Sequence, residues 1–354
     1  MQGHVLVTPA RWSHVPALSR LIRDSRRKRN TAAAGAILWA PRWSPSLGLL
    51  QSVWSPTFPG MLGPRSLVAE EGGRPIGLAQ MRPRKEPRHW EVVYLAVAGP
   101  PVAAASDLDG SAGKVRLIPD RRATRLLGEL CDAAVLAGGD RLFARIPDGS
   151  GAYEVFRQVG FTPVVREYTF FRALPLSPPV EAMPPAWLAG LRPQRRADAF
   201  GLAQLYRECT PKMVQMAEGK AEGQASRHWE RRSHDIGRRL TRQPRTQYWV
   251  VERDGRIAAW LQVVTQRRGA HQLRAMVDER LAGLADDVIR FGLGLAARHP
   301  APGVAIRVRE HQTRLLAAVE GAGFEPIDSS LLMVKQLAAR VMQRRLAPAL
   351  EKVV

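Results

Sequence analysis

Apolar and polar positions along this chain show two periodicities, that of β-strands and that of α-helices. The predicted elements occur in the same order in each half of the sequence. In the first half, "WEVVYLAV" has the composition of a buried strand, "RRATRLLGELCDAAVLAGG" has apolar residues at helical spacing, and "RLFARI" alternates like a strand. In the second half, "HQLRAMV", "LADDVIRFGLGLAARH" and "GVAIRV" repeat this order of strand, helix and strand. The pattern therefore predicts two copies of one α/β unit.

Each copy also contains a hairpin ahead of these elements. "LVAEEGGRPIGLAQM" has Gly72 and Gly73 between two apolar runs, and "WVVERDGRIAAWLQV" has Asp254 and Gly255 at the same place. Asp-Gly and Gly-Gly pairs supply the positive φ angles that tight hairpin turns require. Both segments are therefore predicted to be antiparallel strand pairs.

The two halves end alike, and a proline-rich segment separates them. "FRQVGF" closes at Phe161 and "VEGAGF" closes at Phe324, each after a helical run and before a strand-like stretch. Residues 173–194 carry six prolines, which is typical of a linker. We predict an N-terminal domain over 1–175, a linker over 176–190 and a C-terminal domain over 191–354, whose last segment is an added helix. The predicted fold class is α/β (α+β), with two tandem domains that are each a mostly antiparallel mixed sheet flanked by helices.

Cysteine content and hydropathy restrict the class of protein. Cys131 and Cys209 are the two cysteines, and neither lies in a CxxC or His-rich setting, so the sequence predicts no disulfide framework and no metal site. The longest uncharged stretch, 43–64, is interrupted by prolines and is not predicted to span a membrane. The first residues lack the charged and apolar regions of a signal peptide. We expect a cytoplasmic protein.

The chain is strongly basic, with a net charge of +21 from 53 basic and 32 acidic residues. A nucleic-acid partner is possible but not favoured, because the basic residues are spread along the chain rather than gathered in one tail. Two denser stretches, 23–30 and 227–245, would either attract an acidic acceptor or coenzyme phosphates, or form solvated helix faces. Trp39, Trp43 and Trp54 lie among prolines and could line a binding surface or pack in a core.

The doubled hairpin, the repeated helix ending in Gly-Phe, and a short loop between strand and helix together resemble the GNAT superfamily of N-acetyltransferases, in two tandem copies. This resemblance implies acetyl-CoA as co-substrate and a small-molecule or peptide amine as acceptor. It implies acyl transfer by direct attack of the amine on the coenzyme thioester.

The loop of the second copy carries the coenzyme motif of this resemblance. In the family the loop resembles Gln/Arg-x-x-Gly-x-Gly/Ala, and Arg280, Gly283 and Ala285 occupy the three marked positions in "RLAGLADDVI". Small residues there let main-chain N–H groups at the helix start approach a pyrophosphate. Asp286 and Asp287 depart from the pattern, because they suit a helix N-terminus but repel phosphate. The coenzyme-binding residues implied are Val277, Arg280, Leu281, Ala282, Gly283, Leu284, Ala285 and Gln312, the last at the position of an amide that faces the cofactor.

The first copy departs from the motif. If Arg122 takes the first position of the motif, Arg125 and Leu127 occupy the two positions that require small residues. The first domain is therefore predicted to carry a degenerate coenzyme loop. The Tyr that serves many family members as general acid is replaced by Phe156 in the first copy and Val319 in the second. Neither can donate a proton.

The sequence does not identify the general base, which must take a proton from the attacking amine. The candidates are Glu91, at the start of the fourth strand of the first copy, and His271, at the matching place in the second. The competing expectation, which we favour, is that each is a surface residue at a strand end. The chain lacks GxSxG, Walker and HExxH signatures. Loss of the Tyr in both copies motivates an alternative hypothesis, a non-catalytic tandem GNAT-like protein that binds a ligand or partner.

Overall fold

A computed structural model describes residues 5–28, 38–39, 46, 64–84, 86, 88–98, 121–174, 188–219, 245–266 and 269–337. The chain divides into two compact units. The first unit comprises Met1–Ala144, Ser150–Thr162 and Val334–Val354, and the second unit comprises Arg145–Gly149 and Pro163–Met333.

The first unit is built on a mixed sheet in the order β1-β3-β4-β5-β6, in which β5 and β6 are parallel and the other neighbours are antiparallel. A short strand, β2, pairs with β5. The elements that belong to this unit wholly or in their larger part are β1 Val5–Pro9, α1 Val15–Lys28, β2 Leu38–Trp39, β3 Arg65–Glu71, β4 Arg74–Pro83, β5 His89–Val97, α2 Arg121–Leu136, β6 Arg141–Pro147 and α3 Ala152–Gln158.

The second unit repeats this design, with strands in the order β13-β7-β12-β11-β10-β9-β8 and β11 parallel to β12. The pairs β7–β12, β9–β10, β10–β11 and β8–β9 are antiparallel. Its elements are β7 Thr162–Ala173, β8 Leu191–Pro193, α4 Ala199–Cys209, α5 Lys212–Ala217, β9 Arg245–Arg253, β10 Arg256–Thr265, β11 His271–Val277, α6 Leu284–Ala297, β12 Gly303–Arg309, α7 Thr313–Gly321 and β13 Glu325–Gln336. The predicted fold class, tandem mixed sheets flanked by helices, is confirmed.

The turns form where the sequence predicts them. Gly72 and Gly73 join β3 to β4 with φ of 57° and 75°, and Asp254 and Gly255 join β9 to β10 with φ of 49° and 70°. These are the left-handed conformations of a two-residue hairpin turn.

The repeated sequence ending forms the same type of helix C-terminus in both copies. The N–H of Phe161 donates to the carbonyl of Phe156, and the N–H of Phe324 donates to the carbonyl of Val319, five residues back in each case. Gly160 and Gly323 take positive φ just before each phenylalanine, as a Schellman ending requires. The two phenylalanines are buried and anchor the start of the next strand.

Each face of the second unit's sheet is covered by different helices. On one face, α6 and α7 pack against strand residues that include Leu261, Leu273 and Ile306. On the other face, α4 packs against Val250, Trp260 and Met276. We call these the α6 face and the α4 face. Alternation along a strand then assigns every other residue to one face or the other.

Strand β7 precedes the proline-rich segment in sequence, yet it pairs with β12 and belongs to the second unit. The predicted division into an N-terminal domain over 1–175, a linker over 176–190 and a C-terminal domain over 191–354 stays a prediction. Most of the predicted linker and the added C-terminal helix lie outside the described residues. Over the described ranges, every helix is too short or too polar to cross a bilayer.

Candidate functional site

The predicted coenzyme loop connects β11 to α6 through residues 278–283. The N–H of Asp278 donates to the carbonyl of Ala258 at 2.8 Å, which ties the end of β11 to β10. The N–H of Leu281 then donates to the carbonyl of Asp278 at 3.1 Å and closes a turn. Val277 is buried, and its carbonyl accepts from the thiol of Cys209. Val277 is therefore a packing residue at the base of the loop.

Gly283 lies immediately before α6 in a left-handed conformation, with φ of 75°. A Cβ added there would meet no atom within 4 Å, so the main chain is bare on that side. The first intrahelical bond runs from the N–H of Asp287 to the carbonyl of Gly283 at 3.2 Å. The N–H groups of Leu284, Ala285 and Asp286 precede it and have no acceptor within the helix.

The side chains around these N–H groups divide between surface and core. Leu281, Ala282 and Gly283 are exposed, whereas the side chains of Leu284 and Ala285 are buried beneath α6. The main chain is thus the chemically available part of 281–285. Such a helix start favours anions through its dipole and its unpaired donors.

Arg280 does not extend towards these donors. Its guanidinium donates to both carboxylate oxygens of Asp278, at 2.9 and 2.7 Å, and to Glu208 at 2.6 Å. The hydrogen bond from Arg280 lowers the pKa of Asp278, and the same pair raises the pKa of Arg280. Because exposed ion pairs of this kind contribute little to stability, the contact can be exchanged for one to a phosphate.

Strands β11 and β12 begin side by side and then separate. His271, Gln272 and Leu273 pair with Val304, Ala305 and Ile306. Both strands continue beyond these residues, but within the described part of the sheet they form no further pair. We call the space beyond Leu273 and Ile306 the β11–β12 gap. β5 and β6 behave alike, with pairing that ends at Val92 and Ala144.

Gln312 lies across this gap. It is buried, its side-chain oxygen accepts from the N–H of Arg309 at 3.0 Å, and its amide nitrogen reaches the carbonyl of Ala275 at 3.5 Å. Nearby, Glu279 accepts from the N–H of Arg314 at 2.9 Å and from Thr313, and so caps α7 from the loop. These contacts fix the loop and α7 on opposite sides of the gap.

Both predicted bases are buried, so the expectation of surface residues at strand ends is wrong. His271 is fully buried; its Nδ1 accepts from the N–H of Gln266 at 3.0 Å. Its Nε2 is then the protonated nitrogen and donates to the carbonyl of His299 at 3.0 Å. Glu91 accepts from Arg82 at 2.8 and 3.1 Å. The position that matches His271 is His89, because each of these histidines opens its strand.

In the described part of the first copy, the residues of the predicted motif do not form a loop. Arg122, Arg125 and Leu127 lie inside α2, and Leu127 is in the core, so they are not loop residues as the sequence reading assumed. Several predicted features lie outside the described residues: the segment before α2, the tryptophan-rich stretch apart from the main chain at Trp39, residues 29–30 and 227–244 of the basic stretches, and the side chains of 24–28. Phe156 and Val319 are fully buried and offer no proton donor.

The α4 face carries a buried charge cluster that the sequence reading missed. Glu167 on β7 accepts from Arg145 at 2.7 Å and from Arg309 at 3.3 Å. Glu218, just after α5, accepts from Arg309 and from the hydroxyl of Tyr206, the latter at 2.7 Å. Burial raises the pKa of Glu167, but the guanidinium groups of Arg145, Arg309 and Arg307 outweigh burial and hold it at about 2.

His311 and Gln262 are two further buried polar side chains of the second unit. Nδ1 of His311, between β12 and α7, and Oε1 of Gln262, on β10, are buried without a hydrogen-bond partner among the described residues. Burial and the charge of Arg309 lower the pKa of His311 to about 4, so its imidazole is neutral at pH 7. One sequence signal pointed to this cluster: "AIRVRE" places arginines at every second position of an otherwise apolar strand.

Within the described ranges, no group of three or more His, Cys, Asp or Glu side chains could hold a metal ion. No family model and no curated protein sequence matches the chain. Among solved structures, the fold is similar to a tandem GNAT protein from the clavulanic acid biosynthesis pathway, with a TM-score of 0.51, 16% identity, and coverage of 94% of this chain and 99% of that one.

The fold is also similar to a GCN5-related N-acetyltransferase from Sphaerobacter thermophilus, with a TM-score of 0.51, 13% identity, and coverage of 94% and 96%. The alignments run through both units. The chain therefore has the GNAT fold in two tandem copies.

Proposed function

We propose that the protein is an N-acyltransferase that moves an acetyl group from acetyl-CoA to an amine, with the coenzyme bound in the second unit. One observation carries the proposal: β11 and β12 separate after Leu273 and Ile306, and the bare, left-handed Gly283 opens α6 beside that gap. A space between two parallel strands, next to unpaired helix N–H groups, suits a long ligand with an anionic pyrophosphate.

The residues present fit this ligand in most respects. The N–H groups around 281–285 would hold the pyrophosphate, and Arg280 could join them by leaving its exposed carboxylate partners. Asp286, which is exposed in the first turn of α6, opposes a nearby phosphate and must point away from it. Gln312, whose amide reaches Ala275 across the gap, would contact the part of the ligand inside it.

Ala275 has a separate part in the proposal. Its carbonyl faces the gap, because the amide nitrogen of Gln312, which follows β12, reaches that carbonyl across the gap. The N–H and C=O of one strand residue point to the same side, so the N–H of Ala275 faces the gap too. Acetyl-CoA supplies a thioester: the amine forms a C–N bond to its carbonyl carbon, the C–S bond breaks, and the thiolate leaves with the electron pair. The proton that the amine nitrogen loses passes through water to the thiolate. A donor such as the Ala275 N–H would polarise that carbonyl.

Titration of the protein with acetyl-CoA in a calorimeter tests the proposal. Gly283→Trp fills the bare site and should abolish binding. Gly323→Trp is the matched control, because Gly323 has the same φ of 75°, is exposed and has no atom within 4 Å of an added Cβ, yet lies at the far end of α7. Binding by the control and not by Gly283→Trp supports the site. Equal binding by both, or no binding by the unsubstituted protein, refutes it.

A second candidate function is a non-catalytic tandem protein that binds a ligand or partner. The observation that favours it is the burial of Phe156 and Val319 where many relatives of this fold are expected to carry an acid. This alternative predicts no free CoA thiol in the presence of acetyl-CoA and any amine. Binding to nucleic acid is a weaker alternative, and it would require affinity that falls steeply with salt and differs between sequences.

A further inference from the structure

The strands β5 and β11 differ in what lies beside them after their parallel neighbours separate. β5 pairs with β6 only from His89 to Val92, and β11 pairs with β12 only from His271 to Leu273. On its other edge, each strand keeps an antiparallel neighbour beyond the point of separation, which is β4 for β5 and β10 for β11. We call the edge of β5 that β6 leaves after Val92 the β5 edge. It is the counterpart of the edge of β11 that faces the β11–β12 gap.

Strand β2 occupies the β5 edge. Leu38 pairs with Leu95 and Trp39 pairs with Tyr94, in antiparallel direction. β4 pairs with the same two residues of β5. Because a strand has two hydrogen-bonding edges and β4 takes one of them, β2 lies on the edge that β6 has left.

This pairing provides partners for main-chain groups that lie in the interior. Tyr94 and Leu95 are fully buried, and buried main-chain N–H and C=O groups are almost always hydrogen-bonded. In the second unit, Ala275 is buried at the comparable place, and the amide nitrogen of Gln312 reaches its carbonyl at 3.5 Å. Over the described ranges, the chain thus completes the edge of β5 with a strand and that of β11 with a side-chain amide.

We infer that the β5 edge is a binding site for an extended main-chain segment, that the chain fills it with its own β2, and that β2 excludes coenzyme from the first unit. A coenzyme in that place would need the main-chain groups that β2 uses. Because β2 belongs to the same chain, its binding does not carry the cost of a second molecule's lost translational freedom, and a free ligand competes poorly. The occupancy by β2 is independent of the proposed function, whereas the exclusion of coenzyme rests on it.

Disulfide trapping tests the position of β2. Opposite Cα atoms in an antiparallel pair are about 4.5–5.5 Å apart, a separation that a disulfide spans. Leu38→Cys with Leu95→Cys should therefore form an intrachain disulfide on mild oxidation, which peptide mapping locates. Leu38→Cys with Ala96→Cys is the matched control, because neighbouring residues of a strand point to opposite faces. The control should link about tenfold or more slowly.

Hydrogen exchange resolved to single residues tests the occupancy in the unsubstituted protein. Of Tyr94 and Leu95, one presents its N–H and C=O to β4 and the other presents them to β2, since successive strand residues alternate. Without ligand, the N–H that faces β2 should exchange about tenfold or more slowly than the N–H of Ala275. Acetyl-CoA should slow the exchange of Ala275 and leave that of β5 unchanged.

Loss of the main-chain donors of β2 tests whether β2 causes this protection. Leu38→Pro with Trp39→Pro removes both N–H groups, so the β5 N–H that faces β2 should exchange about tenfold or more faster than before. Leu38→Val with Trp39→Phe is the matched control, because it keeps both donors and their apolar character, and its exchange should equal that of the unsubstituted protein. In calorimetry, the unsubstituted protein should bind one acetyl-CoA per chain.

The outcomes separate this inference from the proposed function. Equal linking by both cysteine pairs, or exchange at β5 that the proline variant does not change, overturns the strand site. Two molecules of acetyl-CoA bound per chain, or slower exchange of the β2-facing N–H when acetyl-CoA is added, overturns the exclusion of coenzyme. If no acetyl-CoA binds, the proposed function is refuted, and the trapping and exchange experiments still decide whether β2 occupies the β5 edge.

Discussion

His311 is a histidine whose protonation state the fold controls. Burial lowers its pKa to about 4, with Arg309 acting in the same direction and the carboxylates of Glu310, Glu218 and Glu167 acting against it. An unfolded histidine has a pKa near 6.5, about 2.5 units higher. Between these pH values the unfolded chain binds more protons than the folded chain, so the free energy of unfolding falls as the pH falls.

We therefore expect His311→Gln to change the pH dependence of stability. Urea unfolding of both proteins at pH 7 and pH 4.5 measures it. The unsubstituted protein should lose about 1–2 kcal/mol more than the variant over this interval, a figure that allows for partial screening by solvent. Parallel losses in the two proteins would show that the imidazole does not titrate with a lowered pKa in the fold.

At the scale of single elements, the two glycines inside α6 show which packing roles can be predicted from the sequence. Because Gly292 and Gly294 lie inside a helical sequence pattern, the sequence predicts that they ease packing of the helix. A Cβ at Gly292 would lie 3.3 Å from the methyl groups of Leu261 and Leu273, which confirms a packing role for that residue. Gly294 is exposed and a Cβ there would meet nothing within 4 Å, so the same explanation is wrong for it.

We expect Gly294→Ala to raise the free energy of unfolding by about 0.5–1 kcal/mol, because alanine loses less backbone entropy in a helix. Gly303→Ala in β12 is the contrasting substitution. A Cβ at Gly303 would overlap the carbonyl of Arg172 and the ring of Phe171 on β7, and overpacking of this kind costs about 1–3 kcal/mol. Guanidinium unfolding of the two variants should move in opposite directions; a stabilised Gly303→Ala would contradict the described pairing of β12 with β7.

Element types were predictable because their signals are local. The glycine turns at 72–73 and 254–255, the helix stops before Phe161 and Phe324, and the alternation of strands all depend on residues within one turn or one strand. Burial of His271 was not predictable, since the carbonyl of His299 that fixes its ring comes from the end of another element. The charge cluster of the α4 face likewise joins residues that are far apart in sequence.

At the scale of the whole molecule, the tandem repeat was predictable and the placement of β7 was not. No local signal states which strand β7 will join, because strand pairing depends on long-range contacts. In the structure, β7 pairs with β12 from Glu167 to Ala173, and Phe170 is buried in the core of the α6 face. The second unit therefore takes a strand from before the proline-rich segment.

This placement predicts how fragments of the chain behave. A fragment of residues 191–354 lacks β7, so it loses the burial of Phe170, worth about 1.5–3 kcal/mol, leaves Arg309 without Glu167 and exposes the edge of β12. A fragment of residues 163–354 retains all three. We expect the longer fragment to unfold at a clearly higher temperature in circular dichroism, and a peptide of residues 163–174 to raise the melting temperature of the shorter one. The same peptide with Phe170 replaced by Ala is the control and should stabilise less. If both fragments melt alike and the peptide has no effect, β7 does not contribute to the fold of the second unit in the way its pairing implies.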